Sequence, residues 1–252
     1  MPVLRLNTEL DPEPFAKVYA EHGLVQVYDI FEPETAETIL QVLMKQTPWR
    51  LVYSDENNKP VLMSNKELQE AGRAGMANIS QQLNTRAQKQ FAYIYSSYPM
   101  LDAYLERWDP GHPLHAFLEF LNSDEYLDFV RTITGETEVV KVDAQATLYA
   151  PGNFLTNHDD SGEIKQRRAA YTLGFSKGWN ADWGGNLVFY DEENPNQVLK
   201  TLLPGWNVLS LFRVPRPHSV SYVTPFAGAG RYSIVGWLRD DPGRVVKNQV
   251  II

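Results

Sequence analysis

The sequence predicts an α+β, mainly β fold: a double-stranded β-helix, or jelly roll, flanked by helices from the N-terminal half. In the first half apolar residues recur at helical spacing, whereas the second half reads as many short strand-like runs. Turn residues separate these runs, as at Gly184-Gly185 and Pro204-Gly205. We therefore expect a single domain over residues 1–252, in which 1–136 give helical support and extra strands and 137–240 form the jelly-roll core.

Four segments of the first half read as helices, because their apolar residues recur every three or four positions and Pro12 and Pro33 stand where a helix can begin. These segments are 11–23, 33–44, 113–121 and 123–134. The polar section 65–90 reads as either a loop or a helix. A mobile lid would have such a composition, but we favour an ordinary surface excursion.

The second half supplies most of the predicted strands. The first half adds 24–31, a hairpin of 49–54 with 61–64, and a strand on which Phe91, Tyr93 and Tyr95 share one face. The strands of the core are 138–150, 168–175, 186–190, 197–203, 206–214, 218–223 and 231–239. Along 138–150 the polar residues alternate on one face, namely Lys141, Asp143, Gln145, Thr147 and Tyr149. We interpret this face as the mouth of a small-molecule site, although a solvent-facing strand would show the same pattern.

Composition excludes several kinds of protein. The hydrophobic content of 43% and charged content of 21% are ordinary for a soluble globular chain. A net charge of -8 disfavours nucleic acid as the partner. The absence of cysteine excludes disulfides and thiolate metal sites. The N-terminus lacks the features of a signal peptide, and no apolar run could span a membrane, so we expect a cytoplasmic protein.

A histidine and an aspartate lie two positions apart, at His158 and Asp160. On extended backbone such residues point to the same side and can reach one ion, whereas Asp159 would point away. On its own this pair is a weak signal, because five histidines and many aspartates produce it by chance. His218 is the best third ligand. Two histidines and one carboxylate form the facial triad of non-haem iron(II) oxygenases.

A later strand strengthens this interpretation. In 231–239, Arg231, Ser233, Val235 and Trp237 share one face, so a cation and a hydroxyl stand in an otherwise apolar strand. A buried guanidinium needs an anionic partner, and a dicarboxylate cosubstrate would be one.

Five motifs occur in the order found in one enzyme family, and the chain resembles that family from about 140 to 239. The motifs are Y-x-x-G-x-F-L-x-x-H-D-D, R-R-x-x-Y-x-L, G-G-N-L, the distal His218 and R-x-S-I-x-G-W. Together they resemble the prolyl-hydroxylase branch of the iron(II)/2-oxoglutarate dioxygenases, and in particular the catalytic domain of the eukaryotic ribosomal prolyl hydroxylases.

The resemblance implies cofactors and a role for each candidate residue. His158, Asp160 and His218 would be catalytic and would bind Fe(II). Arg231 would bind the far carboxylate of 2-oxoglutarate, with help from the hydroxyls of Ser233 and Tyr149. O2 would be the second cosubstrate, with ascorbate as a supporting reductant. The products would be succinate, CO2 and a hydroxylated substrate.

The sequence departs from the family pattern at Gly174. Related enzymes often have a tyrosine there, so something else must fill that space beside the cosubstrate. Arginines 167, 168, 213 and 216 read as surface or salt-bridge residues rather than as an entrance ring for an acidic substrate. We expect His112 and His115 to bind no metal, and we expect the tryptophans, among them 179, 183, 206 and 237, to serve in packing.

The favoured function is hydroxylation of a prolyl residue in a protein or peptide. The main alternative keeps the cofactors but takes a free amino acid or a specialised metabolite, for which Asp143 and Arg213 could supply paired charges. A catalytically silent jelly-roll binding module is the more distant alternative. The complete ligand set and Arg231 argue against it. Neither a nucleic acid nor a membrane is an expected partner, and the oligomeric state is left open.

Overall fold

A computed structural model of the chain describes residues 3–161, 166–241, 246–247 and 250–251. Its α-helices are α1 (Glu13–His22), α2 (Pro33–Lys45), α3 (Asn65–Ala87), α4 (Met100–Leu105), α5 (Pro113–Leu121) and α6 (Asp124–Thr134). A 3-10 turn covers Ala181–Trp183. Within the part of the chain that is described, no helix is long and apolar enough to cross a membrane.

The strands of the first half are β1 (Leu24–Tyr28), β2 (Arg50–Ser54), β3 (Pro60–Met63) and β4 (Tyr93–Tyr98). Those of the second half are β5 (Lys141–Val142), β6 (Gln145–Tyr149), β7 (Phe154–His158), β8 (Arg167–Phe175), β9 (Leu187–Tyr190), β10 (Val198–Leu202), β11 (Trp206–Arg213), β12 (His218–Val220), β13 (Arg231–Arg239), β14 (Val246–Lys247) and β15 (Val250–Ile251).

One curled antiparallel sheet carries the fold. Its main path runs β1-β11-β8-β13-β6-β4-β7-β12-β9-β10, with β2, β3 and β5 attached beside it. Two strands of the first half lie within this path. β1 pairs with β11 at one end, and β4 pairs with both β6 and β7 in the middle. The first half therefore completes the sheet as well as supporting it.

The largest apolar core lies between the helices and the half of the sheet formed by β8, β11 and β13. Ile39 of α2, Phe117 of α5 and Val130 of α6 are fully buried in one cluster with Leu209 and Ile234 of the sheet. Burial of each such side chain contributes about 1.5–3 kcal/mol, so these helices hold that half of the sheet in place. The other half, which begins at β4, is left to form one wall of a cavity.

The four predicted helices are present as α1, α2, α5 and α6. The section 65–90, which the sequence left open between a loop and a helix, forms helix α3, which begins with a capping box between Ser64 and Glu67. Gly72 interrupts α3 with φ 60° and ψ -170°, a conformation that glycine adopts at low steric cost. This break explains why no single apolar stripe runs through the segment.

The predicted strand 138–150 is divided into β5 and β6. At the break the backbone N–H of Asp143 donates to the carbonyl of Trp237. Lys141 does not face a mouth, because its ammonium is buried and bonded to Asp241 at 2.6 Å. The polar face predicted for this segment therefore reaches the cavity only from Gln145 onward.

Candidate active site

The three candidate metal ligands come together at one end of the curled sheet. β7 ends at His158 and β12 begins at His218, and the two histidines are direct partners in the antiparallel pair. Asp160 follows in the turn after β7. Its carboxylate oxygens lie 3.6 Å from Nε2 of His158 and 3.6 Å from Nε2 of His218. One donor atom from each residue lies within 4.8 Å of the others, a spacing that suits a shared ion.

Both imidazoles are oriented by the backbone. Nδ1 of His158 lies 3.0 Å from the carbonyl oxygen of Thr156, and Nδ1 of His218 lies 2.8 Å from that of Arg216. A carbonyl accepts, so each Nδ1 carries the proton and donates it. This leaves the lone pair of Nε2 directed at the cluster. Metal-binding histidines usually have such a second hydrogen bond, which fixes the tautomer and the ring orientation.

The backbone conformation that brings Asp160 to the histidines differs from the one predicted from the sequence. The extended backbone predicted for it is wrong, because Asp160 has φ 60° and lies in the left-handed region. Asp159 has a local role: its carboxylate accepts hydrogen bonds from the backbone N–H of Ser161 at 2.9 Å and from the Ser161 hydroxyl at 2.6 Å. In this turn the carboxylate of Asp160 points toward the histidines, while that of Asp159 stabilises the turn backbone.

The electrostatics of the cluster favour a cation. Burial, together with the adjacent His158, lowers the pKa of His218 below its usual value, so its imidazole stays neutral and available as a ligand. The rings of Phe212 and Phe189 lie 4.8 and 6.1 Å from that of His218 and exclude water from this side. Two neutral imidazoles and one carboxylate on a shared point make a donor set that suits Fe(II).

A cavity of about 260 Å³ extends from these ligands into the sheet. Its walls are mainly apolar or aromatic, and its polar groups are few. The residues that line it include Phe91, Tyr95, Gln145, Thr147, Tyr149, Ala170, Leu187, Phe212, Val220, Arg231, Val235 and Trp237, besides the three candidate ligands. An apolar cavity with a small number of convergent polar groups is the usual form of a small-molecule site.

Arg231 lines this cavity and has no anionic partner among the described residues. Its side chain is 4% exposed, and NH1 donates to the hydroxyl of Ser233 at 3.1 Å. Its guanidinium carbon lies 5.1 Å from the ring of Tyr149, and Nε has no acceptor among the described residues. Burial lowers the pKa of the guanidinium. An uncompensated buried cation is unfavourable alone, so the arrangement suits a ligand carboxylate.

At Gly174 the sequence departs from the family pattern, and a neighbouring loop occupies the space where a side chain would be. A Cβ at this position would lie 2.7 Å from the carbonyl oxygen of Gly205 and 2.9 Å from a methyl carbon of Val208. The chain that enters β11 therefore occupies the space in which related enzymes often place a tyrosine. A small void of about 20 Å³ lies here, and its lining includes Gly174, Gly205, Val208, Arg231 and Ser233.

Only one of the four arginines considered for an entrance ring lies against the candidate ligands. Arg167 stacks on the indole of Trp237 at 3.7 Å and donates from NH1 to the backbone oxygen of Asp160. Its Nε and the indole Nε1 are buried without an acceptor in the described part of the chain. Arg168 pairs with Asp240, Arg213 lies over the ring of Tyr19, and Arg216 donates to the carbonyls of His22 and Gly23.

The other histidines lie away from the cluster. His112 caps α5 by accepting from the backbone N–H of Leu114, and His115 lies 3.3 Å from the hydroxyl of Tyr98. His22 is exposed at the end of α1. Among the described residues, only the cluster at His158 has the spacing of a metal site.

Sequence reasoning placed Gln145 on the polar face of the site but missed a second polar residue of the cavity, Tyr95. Gln145 donates from Nε2 to the Tyr95 hydroxyl at 3.2 Å, and the ring of Tyr95 stacks on Tyr149 at 4.9 Å. Burial chiefly raises the pKa of Tyr95, as Asp160 does to a smaller extent, while the bond from Gln145 lowers it. The alternation of Phe91, Tyr93 and Tyr95 was visible in the sequence. What the sequence did not show was that β4 would lie between β6 and β7.

Comparison with known proteins agrees with this geometry. Residues 144–239 match the family model of the 2OG-Fe(II) oxygenase superfamily. Prolyl 3-hydroxylase OGFOD1 of Mus musculus is 32% identical over 125 residues, which are 48% of this chain and 22% of that protein. The chain thus matches about a fifth of the length of this curated relative.

Two solved structures have the same fold. An oxidoreductase of the 2OG-Fe(II) oxygenase family from Burkholderia pseudomallei has a TM-score of 0.60 at 14% identity, covering 97% of this chain and 96% of its own. A Trichoplax adhaerens prolyl hydroxylase in complex with a hypoxia inducible factor peptide has a TM-score of 0.55 at 16% identity, covering 91% and 89%. These likenesses confirm the predicted jelly roll. Residues 144–239 are therefore similar in sequence to the 2OG-Fe(II) oxygenase superfamily, and 125 residues of the chain are similar to a prolyl 3-hydroxylase.

Proposed function

We propose that this chain is an Fe(II)- and 2-oxoglutarate-dependent hydroxylase that acts on a prolyl residue in a protein, with release of succinate and CO2. One observation carries the proposal: His158, Asp160 and His218 share a cavity with a buried arginine that has no anionic partner among the described residues. A metal-binding enzyme without a dicarboxylate cosubstrate would have no use for that arginine.

The residues present fit both cofactors. His158, Asp160 and His218 would hold Fe(II), since two oriented Nε2 atoms and a carboxylate converge on one point. Arg231 would bind the far carboxylate of 2-oxoglutarate, and the hydroxyls of Ser233 and Tyr149 would assist. When bound, the metal, the 2-oxo acid and O2 together supply the oxidising chemistry that converts the 2-oxo acid to succinate and CO2 and inserts oxygen into a substrate C–H bond.

The protein would orient and shield this chemistry. Apolar walls such as Phe212, Val220 and Leu187 exclude water from the cavity, which strengthens every charge interaction inside it. Thr147 holds Ser233 through a hydroxyl contact of 2.8 Å, and Ser233 in turn accepts from Arg231. This chain of hydrogen bonds fixes the guanidinium before the cosubstrate arrives.

Three observations support a peptide substrate over a free amino acid. The charge pair considered for an amino acid is not formed, because Asp143 is bound to Arg239 at 2.9 Å while Arg213 lies over Tyr19. Arg167 and Trp237 offer buried donors beside the metal site that a peptide carbonyl could use. Finally, the curated relative from Mus musculus is a prolyl 3-hydroxylase. Contacts away from the reacting carbon would let a peptide position one C–H bond.

The test is anaerobic loading of the purified protein with Fe(II) and 2-oxoglutarate, followed by O2 and a panel of proline-containing peptides and free amino acids. We expect succinate formation that depends on a peptide, together with a mass gain of one oxygen atom on a prolyl residue. Added ascorbate should sustain turnover. His218→Ala is the matched inactive control, and Asp159→Asn is the control for a carboxylate outside the cluster.

The outcomes separate the candidate functions. Efficient turnover of free proline or another amino acid, with no peptide hydroxylated, would replace the protein substrate by a small molecule. Binding of 2-oxoglutarate without any succinate would instead indicate a silent binding module.

We further propose that residues 1–252 act as one domain. We also propose the cytoplasm as its location, since a chain without cysteine has no need of an oxidising compartment.

A further inference from the structure

The inner wall formed by β4 contributes a tyrosine to the cavity from outside the segment that the family model matches. Phe91, Tyr93 and Tyr95 form a row of rings that begins 5.8 Å from the imidazole of His158 and ends on Tyr149. Tyr95 is thus placed between the candidate metal ligands and the tyrosine that adjoins Arg231.

The hydroxyl of Tyr95 has a proton to donate. It accepts a hydrogen bond from Nε2 of Gln145 at 3.2 Å, and the described residues provide no acceptor for its own O–H. The oxygen is held in position by Gln145, and both residues line the cavity, so the O–H is available to a ligand there. A phenol is a neutral hydrogen-bond donor, and this one lines the same cavity as Asp160.

The charged residues of the cavity indicate which ligand group the Tyr95 hydroxyl would contact. Arg231 is the one lysine or arginine among the described residues that line the cavity. A dicarboxylate has two anionic ends, and Arg231 can bind only one of them. Among the residues that line the cavity, the groups that can bind the end nearest the metal ligands are therefore the metal site and uncharged donors.

Strand register gives the spacing, along the sheet, of the residues that hold the two donors. The guanidinium of Arg231 reaches the level of Ser233, to which it donates. Gln145 stands opposite Val235, two residues further along β13 than Ser233. The backbone of Gln145 is therefore about 7 Å along the strand direction from the level of Ser233. This separation is comparable with that of the two carboxylates of an extended five-carbon diacid.

We propose that the Tyr95 hydroxyl donates a hydrogen bond to the carboxylate next to the keto group of bound 2-oxoglutarate, and that Gln145 is the residue that positions it. The assignment rests on the proposed cosubstrate and adds a binding residue from the N-terminal half of the chain. Arg231 and Tyr95 then hold opposite ends of the same molecule.

The test measures cosubstrate binding without turnover. Isothermal titration of 2-oxoglutarate into the Mn(II)-loaded protein, with no peptide present, should show an affinity about tenfold weaker for Tyr95→Phe, the usual loss for one hydrogen bond to a charged group. Tyr53→Phe is the matched control, because Tyr53 lies on the adjacent strand and outside the cavity. Its affinity should equal that of the unchanged protein.

A double-mutant cycle tests the positioning role of Gln145. Gln145→Leu should weaken 2-oxoglutarate binding in the unchanged background and have no further effect in the Tyr95→Phe background, because it acts through that hydroxyl. A purely structural role would weaken binding equally in both. Thermal unfolding of each variant shows whether it is folded.

One result would overturn the proposal. Unchanged 2-oxoglutarate affinity in Tyr95→Phe would show that the hydroxyl does not contact the cosubstrate. If the same variant then bound a peptide substrate more weakly, the donor would serve that substrate instead. Because no peptide is needed for the titration, failure to find a prolyl substrate would leave this test intact.

Discussion

Replacement of Arg231 by methionine separates cosubstrate binding from folding. The side chain is 4% exposed, and the Ser233 hydroxyl is its one hydrogen-bond partner in the described part of the protein. Without the guanidinium, the far carboxylate of 2-oxoglutarate would enter an apolar site unpaired. Truncating one partner of a buried charge pair costs roughly 2–5 kcal/mol, which corresponds to an affinity loss of about 30-fold to some thousands-fold.

The free protein should respond in the opposite direction. A buried cation without a counterion is unfavourable, and its replacement by an apolar side chain of similar volume is often neutral or stabilising. We therefore expect Arg231→Met to unfold at the same temperature as the unchanged protein or at a higher one, in the absence of ligand. Loss of binding with retained stability cannot be attributed to misfolding.

The assay is titration of 2-oxoglutarate into Mn(II)-loaded protein, with a separate titration of the metal. Metal affinity should change little, because Arg231 makes no contact with the three candidate ligands. Arg168→Met is the matched control, since Arg168 is exposed and paired with Asp240 on the surface. Undiminished 2-oxoglutarate affinity in Arg231→Met would place the anion site elsewhere and refute the reasoning.

Three further changes test the site and the fold. Asp160→Asn should abolish succinate formation and weaken metal binding while Asp159→Asn keeps both; the reverse result would reassign the ligand. Gly236→Ala places a Cβ 1.9 Å from the backbone oxygen of Asp143, in the break between β5 and β6, and should lower the free energy of unfolding by roughly 1–3 kcal/mol or more in denaturant titration. Burial and a neighbouring histidine lower the pKa of His115, so the unfolded state binds its proton more readily and stability should fall as pH drops below about 6.5. His115→Gln should reduce that dependence, as thermal unfolding of the metal-free protein would show.

The sequence predicted those parts of the molecule whose signal is local. The helices α1, α2, α5 and α6 follow from apolar periodicity and end signals, which are properties of short windows. The candidate ligands were also identified from short motifs, and the structure brings them together. Asp160 was chosen on the assumption of extended backbone, whereas a left-handed turn carries it. The structure places the carboxylate of Asp160 near both histidines, and its role as a ligand stays a prediction.

Features that depend on distant pairing were not predicted. Helix α3 has a break at Gly72 that disrupts its apolar stripe, so its helical character comes from the cap at Ser64 and from packing against β2 and β4. The site role of Tyr95 depends on β4 lying between β6 and β7, which are separated from it by about 50 residues of chain. No local window of sequence contains that information.

The same pairing predicts that the segment with the family motifs will not fold alone. A fragment of residues 137–252 would lack β4, which leaves the facing edges of β6 and β7 without hydrogen-bond partners. It would also lack α2, α5 and α6, whose side chains cover the core against β11 and β13. We expect the fragment to aggregate or to lack cooperative unfolding in circular dichroism. A monomeric fragment that unfolds cooperatively and binds Mn(II) as the whole chain does would contradict the single-domain proposal, because the first half would then be an accessory to a self-sufficient site.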